Sequence, residues 1–173
     1  QWNVSSTSNH NAYSYSKTIA EKDRLQNEFM EVNFSTETGA VMGVYSGSRG
    51  NRFSLRLVAV SREDVGNVEM KANRFQVTAS SEHHGAIETA GVLQRTSEEG
   101  SQKLADFRIE YSLTRGSRFL QLKGELIPDR QMEGDPWGNY LALRMAVASE
   151  SAIHRTIIRD KLHRSRSRRL VAP

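Results

Sequence analysis

From residue 30 to residue 147 the chain keeps returning to one habit: every second side chain is apolar. The clearest run is 106–113, where Phe107, Ile109, Tyr111 and Leu113 alternate with Asp106, Arg108, Glu110 and Ser112. Successive side chains of a strand point to opposite faces, so such a run buries one face and wets the other. A helix has no use for it, because a 3.6-residue period scatters the apolar set around the axis. The habit recurs at Met30, Val32 and Phe34, and at Phe53, Leu55, Leu57 and Ala59. It returns at Leu120, Leu122, Gly124 and Leu126, then at Leu141, Leu143, Met145 and Val147. Turn signals stand between, among them Thr36-Glu37-Thr38-Gly39, a Gly/Ser stretch over 46–51, and Thr114-Arg115-Gly116-Ser117. Residues 40–45 complete the first hairpin, and weaker strands are expected over 68–72, 75–79 and 86–94. About eight strands with almost no helical period predict an all-β chain. The expected fold is an antiparallel β-sandwich with little helix, its alternate rows meeting in one interior. An apolar content of 37% is low for a globular domain, yet it suits sheets wet on one side.

The remainder sorts around that block. Residues 1–26 read as an irregular lead-in, with a short helix expected over 17–27 around Ile19 and Leu25. Residues 27–152 form the sandwich domain, and 153–173 form a basic C-terminal segment. There Ile153, Ile157, Ile158 and Leu162 fit a short helical stripe or a strand and loop about equally. The segment holds seven Lys or Arg against Asp160 alone, a local +6 inside a net charge of +4, which leaves −2 for the rest. Closely spaced cations release counterions from phosphates, so a nucleic-acid or acidic partner is conceivable. No aromatics interleave the run, and a solvated or partner-facing tail is the favoured reading. The chain opens on Gln1, so a longer precursor or a removed leader is expected. The apolar run 39–45 is far shorter than the roughly 18 to 20 residues that cross a bilayer, and no membrane partner is expected.

Motifs for chemistry are thin. With no cysteine there is no disulfide, thiolate metal site or cysteine nucleophile. "GSRGN" at 47–51 lacks the Lys and the following helix of a phosphate loop, and reads as a hairpin connection. His83 and His84 are neighbours on an extended chain and so face opposite ways, and the spacing of His154 and His163 matches no usual ligand pattern. Metal and cofactor are therefore expected to be none in this chain. Glu98-Glu99 sits at a solvated hairpin tip, where nothing separates the two pKa values for acid–base work. Asn3 and Asn33 each match the glycosylation acceptor pattern, which decides nothing by itself.

One stretch invites a binding role. In "EGDPWGNYLALRMAVASE", residues 133–150, Trp137 and Tyr140 flank a turn shaped by Pro136 and Gly138. A sugar-binding platform needs flat aromatic faces beside polar groups, and Trp137, Asn139, Tyr140 and Arg144 supply both. The competing role is structural, with Trp137 wedged into the interior, where it would bury roughly 150 to 250 Å². Arg144 shares the Tyr140 face and could stack on that ring or pair with a carboxylate. Spacing favours the anchor.

Two longer stretches carry a family resemblance. "LQNEFMEVNFSTETGAVMGVYS" with "NRFSLRLV", and later "IEYSLTRGSRFLQLKGEL" with "DPWGNYLALRMA", resemble the front of the β-sandwich region of family-38 glycoside hydrolases, the α-mannosidases. The matching positions are Asn27, Glu28, Phe29, Thr38 and Gly39, then Tyr111, Gly116, Ser117, Arg118, Pro136, Trp137, Tyr140, Arg144 and Ala146. The resemblance implies a galactose-mutarotase-like supersandwich. It also implies a zinc ion and an Asp nucleophile on a separate N-terminal domain; no residue here matches those positions, so no catalytic or zinc-binding residue is assigned. The expected function is a non-catalytic module supporting that domain. The alternatives are a stand-alone carbohydrate-binding module and a binder of nucleic acid or acidic partners. The partners that follow are carbohydrate, a catalytic domain of the same parent chain, or a second copy of the chain, with nucleic acid least favoured.

Overall fold

The computed structural model describes residues 17–46, 49–51, 53–61, 67–98, 100–130, 135 and 138–147, and the regular structure among them is all strand. In chain order these are β1 (Ala20–Glu21), β2 (Arg24–Gln26), β3 (Glu31–Phe34), β4 (Val41–Ser46), β5 (Arg49–Asn51) and β6 (Phe53–Val60). Then follow β7 (Asn67–Ser80), β8 (His84–Ser97), β9 (Gly100–Thr114), β10 (Gln121–Pro128) and β11 (Tyr140–Val147). The first sheet runs β1-β2-β3-β4-β6-β11, with β5 paired to β4; the second runs β10-β9-β8-β7. Each ladder is antiparallel, so the chain is a β-sandwich.

The expected helix over 17–27 is instead a hairpin. Ala20 stands opposite Leu25, and Lys22 takes the tight turn with φ 41°. At 3.6 residues per turn, Ile19 and Leu25 would lie about 120° apart around a helix, whereas the hairpin buries both. Residues 20–26, placed in the lead-in by sequence, thus carry two strands of the sheet. The segments 68–72 and 75–79 are likewise one strand, β7. Its register shifts between Ala72 and Arg74 and again between Val77 and Ala79. Each shift leaves an extra residue that breaks the two-residue count, which is why the pattern read as two elements.

The sheets meet face to face with their strands crossing. Along β7, Met70 reaches β6, Ala72 N–H donates to Glu37 O at 2.7 Å, Phe75 meets Phe34 of β3, and Ser80 Oγ donates to Ala20 O of β1. One strand therefore passes beneath the first sheet from β6 to β1, an orthogonal packing. Phe34 and Tyr111 pack at 4.9 Å in the middle, among buried Leu25, Val32, Ile87 and Leu113.

One expectation needs correction. The alternate rows from β3 to β9 do share this interior, but those of the edge strands β10 and β11 only partly do: Leu126 and Leu141 pack against the core while their neighbours on the same face do not. Leu143 pairs with buried Leu57 and Leu122 with buried Tyr111, so both lie on the inner side of their sheets. Yet Leu143 is 47% exposed and Leu122 39%, because the opposite sheet does not extend over them.

Candidate functional site

β4 and β6 pair through a single position, Val41 with Leu55. Beyond it β6 runs on beside β11 alone, and the start of β7 folds under the gap. Leu57 N–H, with no β4 residue opposite, donates to Met70 Sδ at 3.0 Å. The gap is an open cleft of about 450 Å³, lined among others by Ser35, Thr38, Met42, Arg56, Glu69 and Met70. Ser35 Oγ and Thr38 Oγ1 accept the N–H groups of Thr38 and Ala40, which fixes the hairpin turn forming one wall. Glu69 Oε1 accepts from Asn67 Nδ2 at 2.8 Å on the opposite wall. Charge of each sign thus meets two thioethers, a lining for a small ligand with polar and apolar parts.

Arg56 links this cleft to the outer face of β11. There it stands opposite Arg144, while Tyr140 stands opposite Val60. Like charges directly across a ladder repel, and neither arginine forms an ion pair among the described residues. Arg144 does not stack on Tyr140. Four residues along a strand separate them by roughly 13 Å. Gly138 and Asn139 N–H both donate to Asp135 O at 2.9 Å, forming the turn that leads into β11. Asn139 is half-buried there, and Tyr140 is 41% exposed. Trp137 lies outside the described residues, as does the basic segment 153–173 with His154 and His163.

A second constellation is structural. Asn27 is buried, and its side chain makes four hydrogen bonds. Oδ1 accepts from Phe29 N and Met30 N at 2.9 and 3.0 Å, and Nδ2 donates to Thr114 O and Ser117 O at 2.9 and 2.7 Å. Glu28 Oε1 accepts from Gly116 N at 2.6 Å, and the Arg118 guanidinium lies 4.6 Å over the Phe29 ring. The Asn-Glu-Phe stretch thereby clasps the Gly-Ser-Arg turn, some 90 residues later in the chain.

The charged group that sequence reading missed is Glu88. It lies on the outer side of the second sheet, yet only 5% of its side chain is exposed. Arg108 Nε and Nη2 both donate to its Oε2, and Arg74 Nη1 stands 3.7 Å from its Oε1. That carboxylate hydrogen bond is the leading reason the Arg108 guanidinium is held above its ordinary pKa. The three residues sit on β7, β8 and β9, so no single-strand pattern brings them together. Among the described residues no group of three or more His, Asp or Glu is placed to hold a metal. No protein-family model, curated protein or solved structure matches the chain.

Proposed function

We propose that this chain is a non-catalytic β-sandwich module of a carbohydrate-active protein, resembling the α-mannosidases of family 38, and that it supports a separate catalytic domain. The observation that carries this reading is the clasp. The two stretches on which the resemblance rests are far apart in sequence, and they meet residue to residue through Asn27, Glu28 and Phe29 against Thr114, Gly116, Ser117 and Arg118. Docking would fall on β11, where Leu143 and Met145 leave apolar surface open beside a sheet edge with no partner strand among the described residues. Retaining glycoside hydrolysis needs two carboxylates about 5 to 5.5 Å apart across a bound sugar, and here that pair is assigned to the separate domain. The test compares the parent protein with this chain alone on an aryl α-mannoside, with and without zinc chelation. Chelator-sensitive turnover by the parent and none by the chain is expected. Turnover by the chain alone, or an inactive zinc-loaded parent, would refute the assignment.

A second reading has its own observation. Arg56 and Arg144 face each other two residue pairs away from Val58 and Ala142, on the surface that ends at Tyr140. Two guanidinium groups on the same outer face as an exposed ring, roughly 13 Å along the strand from it, suit a carboxylated or sulfated saccharide. Calorimetric titration with neutral and anionic oligosaccharides separates this from pure scaffolding. Binding of the anionic set that is lost in Arg144→Ala, with the fold intact by far-UV circular dichroism, supports it; no heat with either set removes it.

A further inference from the structure

β10 is one edge of the second sheet, without a further partner strand among the described residues, and each of its residues except Leu126 is exposed. An open edge offers unpaired backbone groups to any strand that fits. The sequence of β10, Gln-Leu-Lys-Gly-Glu-Leu-Ile-Pro, is close to its own complement about Gly124. If two copies lie antiparallel across a two-fold axis with their apolar faces on one side, opposite residues share a face. The register must then be centred on a residue. Centring on Lys123 sets that ammonium against its own copy, and centring on Glu125 does the same with carboxylates. Centring on Gly124 sets Lys123 against Glu125 twice and Leu122 against Leu126 twice.

The neighbouring strand agrees with that register. Lys123 lies opposite Glu110 and Glu125 opposite Arg108 within one copy. Across the pair, the outer-face row would read Glu110, Lys123, then Glu125 and Arg108 of the second copy, with signs alternating over four strands. The register also covers exposed apolar groups. Gln121 would oppose Ile127 of the second copy, which brings Phe119 diagonal to that isoleucine; Phe119 is 76% exposed and Ile127 55%. We propose that β10 is a homodimer interface, pairing antiparallel about Gly124 with a second copy of this chain and joining two four-stranded sheets into one. This is independent of the mannosidase-like reading, which concerns β11.

Sedimentation velocity on the chain over a concentration series tests it, with far-UV circular dichroism as the control for folding. A reversible dimer is expected, strand-edge interfaces being small. Lys123→Glu and Glu125→Lys should each weaken it at least tenfold. An equimolar mixture of the two variants should restore it, since the carboxylates of one then face the ammonium groups of the other. Amide exchange in β10 should slow as concentration rises. A wild-type monomer up to about 100 µM, well into the range of weak interfaces, would overturn the proposal. So would a dimer indifferent to both reversals, a mixture that stays monomeric, or β10 exchange independent of concentration.

Discussion

β9 and β11 are built on the same alternation, and the structure treats them in opposite ways. On β9, Phe107, Ile109, Tyr111 and Leu113 are at most 4% exposed. On β11, Leu143 and Met145 are nearly half exposed although their cross-strand partners Leu57 and Leu55 are buried. The pattern decides which side of a sheet a residue takes. Whether that side is interior depends on a second sheet standing over it, and β9 has β2 across the gap whereas β11 lies at the rim. Period-two sequence therefore marks a face that wants cover, not a face that has it.

The sharpest way to break that contrast is to remove a large side chain from the covered strand. Tyr111 is fully buried and packs on Phe34. Tyr111→Ala should cost about 3–5 kcal/mol, as for other large-to-small changes of aromatic core residues. Urea titration of the two proteins checks it. A cost under about 1 kcal/mol would mean that the two sheets do not enclose this ring.

A pair of glycines draws the same line through the backbone. Gly91 of β8 lies opposite Ala72, where the register of β7 shifts. A Cβ there would run into the Lys71 carbonyl oxygen and lie 2.8 Å from Ala72 Cα, both main-chain atoms that cannot swing aside. Gly124 of β10 has its nearest neighbour 3.9 Å away, the Ile109 side chain. Gly91→Ala should destabilise by about 3 kcal/mol through forced overpacking, while Gly124→Ala should stay within about 0.5 kcal/mol in dilute solution. Thermal melts of the two variants side by side decide it. Equal losses would mean that β7 does not approach β8 as closely as the bulge requires.

What the sequence made legible follows the same division. The faces of β3, β6 and β9 were readable because each has one uninterrupted alternating run. β7 was not, since extra residues at its two register shifts exchange the faces midway. The hairpin of β1 and β2 was hidden because its buried apolar residues, Ile19, Ala20 and Leu25, are too few to display a period. The clasp was half visible: Thr114-Arg115-Gly116-Ser117 read as a turn, but the bonds that Asn27 and Glu28 make to it join residues 87 to 90 positions apart. Glu88 was out of reach, because its cover is supplied by arginines from two other strands. Of the proposed sugar-binding set, Tyr140 and Arg144 lie on one outer face with Asn139 at its turn, and Arg56 stands opposite Arg144, a neighbour that no run along β11 could have named.

Tyr111 also sharpens the comparison through pH. Burial pushes its phenol pKa up, and its hydroxyl donates to Gly39 O at 3.4 Å. The folded-state value lies above the unfolded one of about 10, so the folded chain holds its proton longer. The associated stability is intact below about pH 10 and falls as pH rises beyond it, since the unfolded state can then release the proton freely. Tyr111→Phe should cost about 1 kcal/mol at neutral pH, for one long hydrogen bond. It should also move the alkaline unfolding midpoint upward relative to its neutral stability. An alkaline limb unchanged in that variant would place the pH dependence on other groups.

The smallest expected effect is at the rim. In the isolated chain, Leu143→Ser removes a side chain that water already reaches, so stability should change by no more than about 0.5 kcal/mol. In a parent protein where another domain lies on β11, the same change would cut into a buried contact and should cost about 2 kcal/mol or more. The two measurements need each other. A large loss in the isolated chain would show that β11 is covered within this chain, and the apolar strip would no longer distinguish a rim strand from a core one. A negligible loss in both would leave the strip uncovered everywhere, and the docking face of the module would then have to lie on another strand.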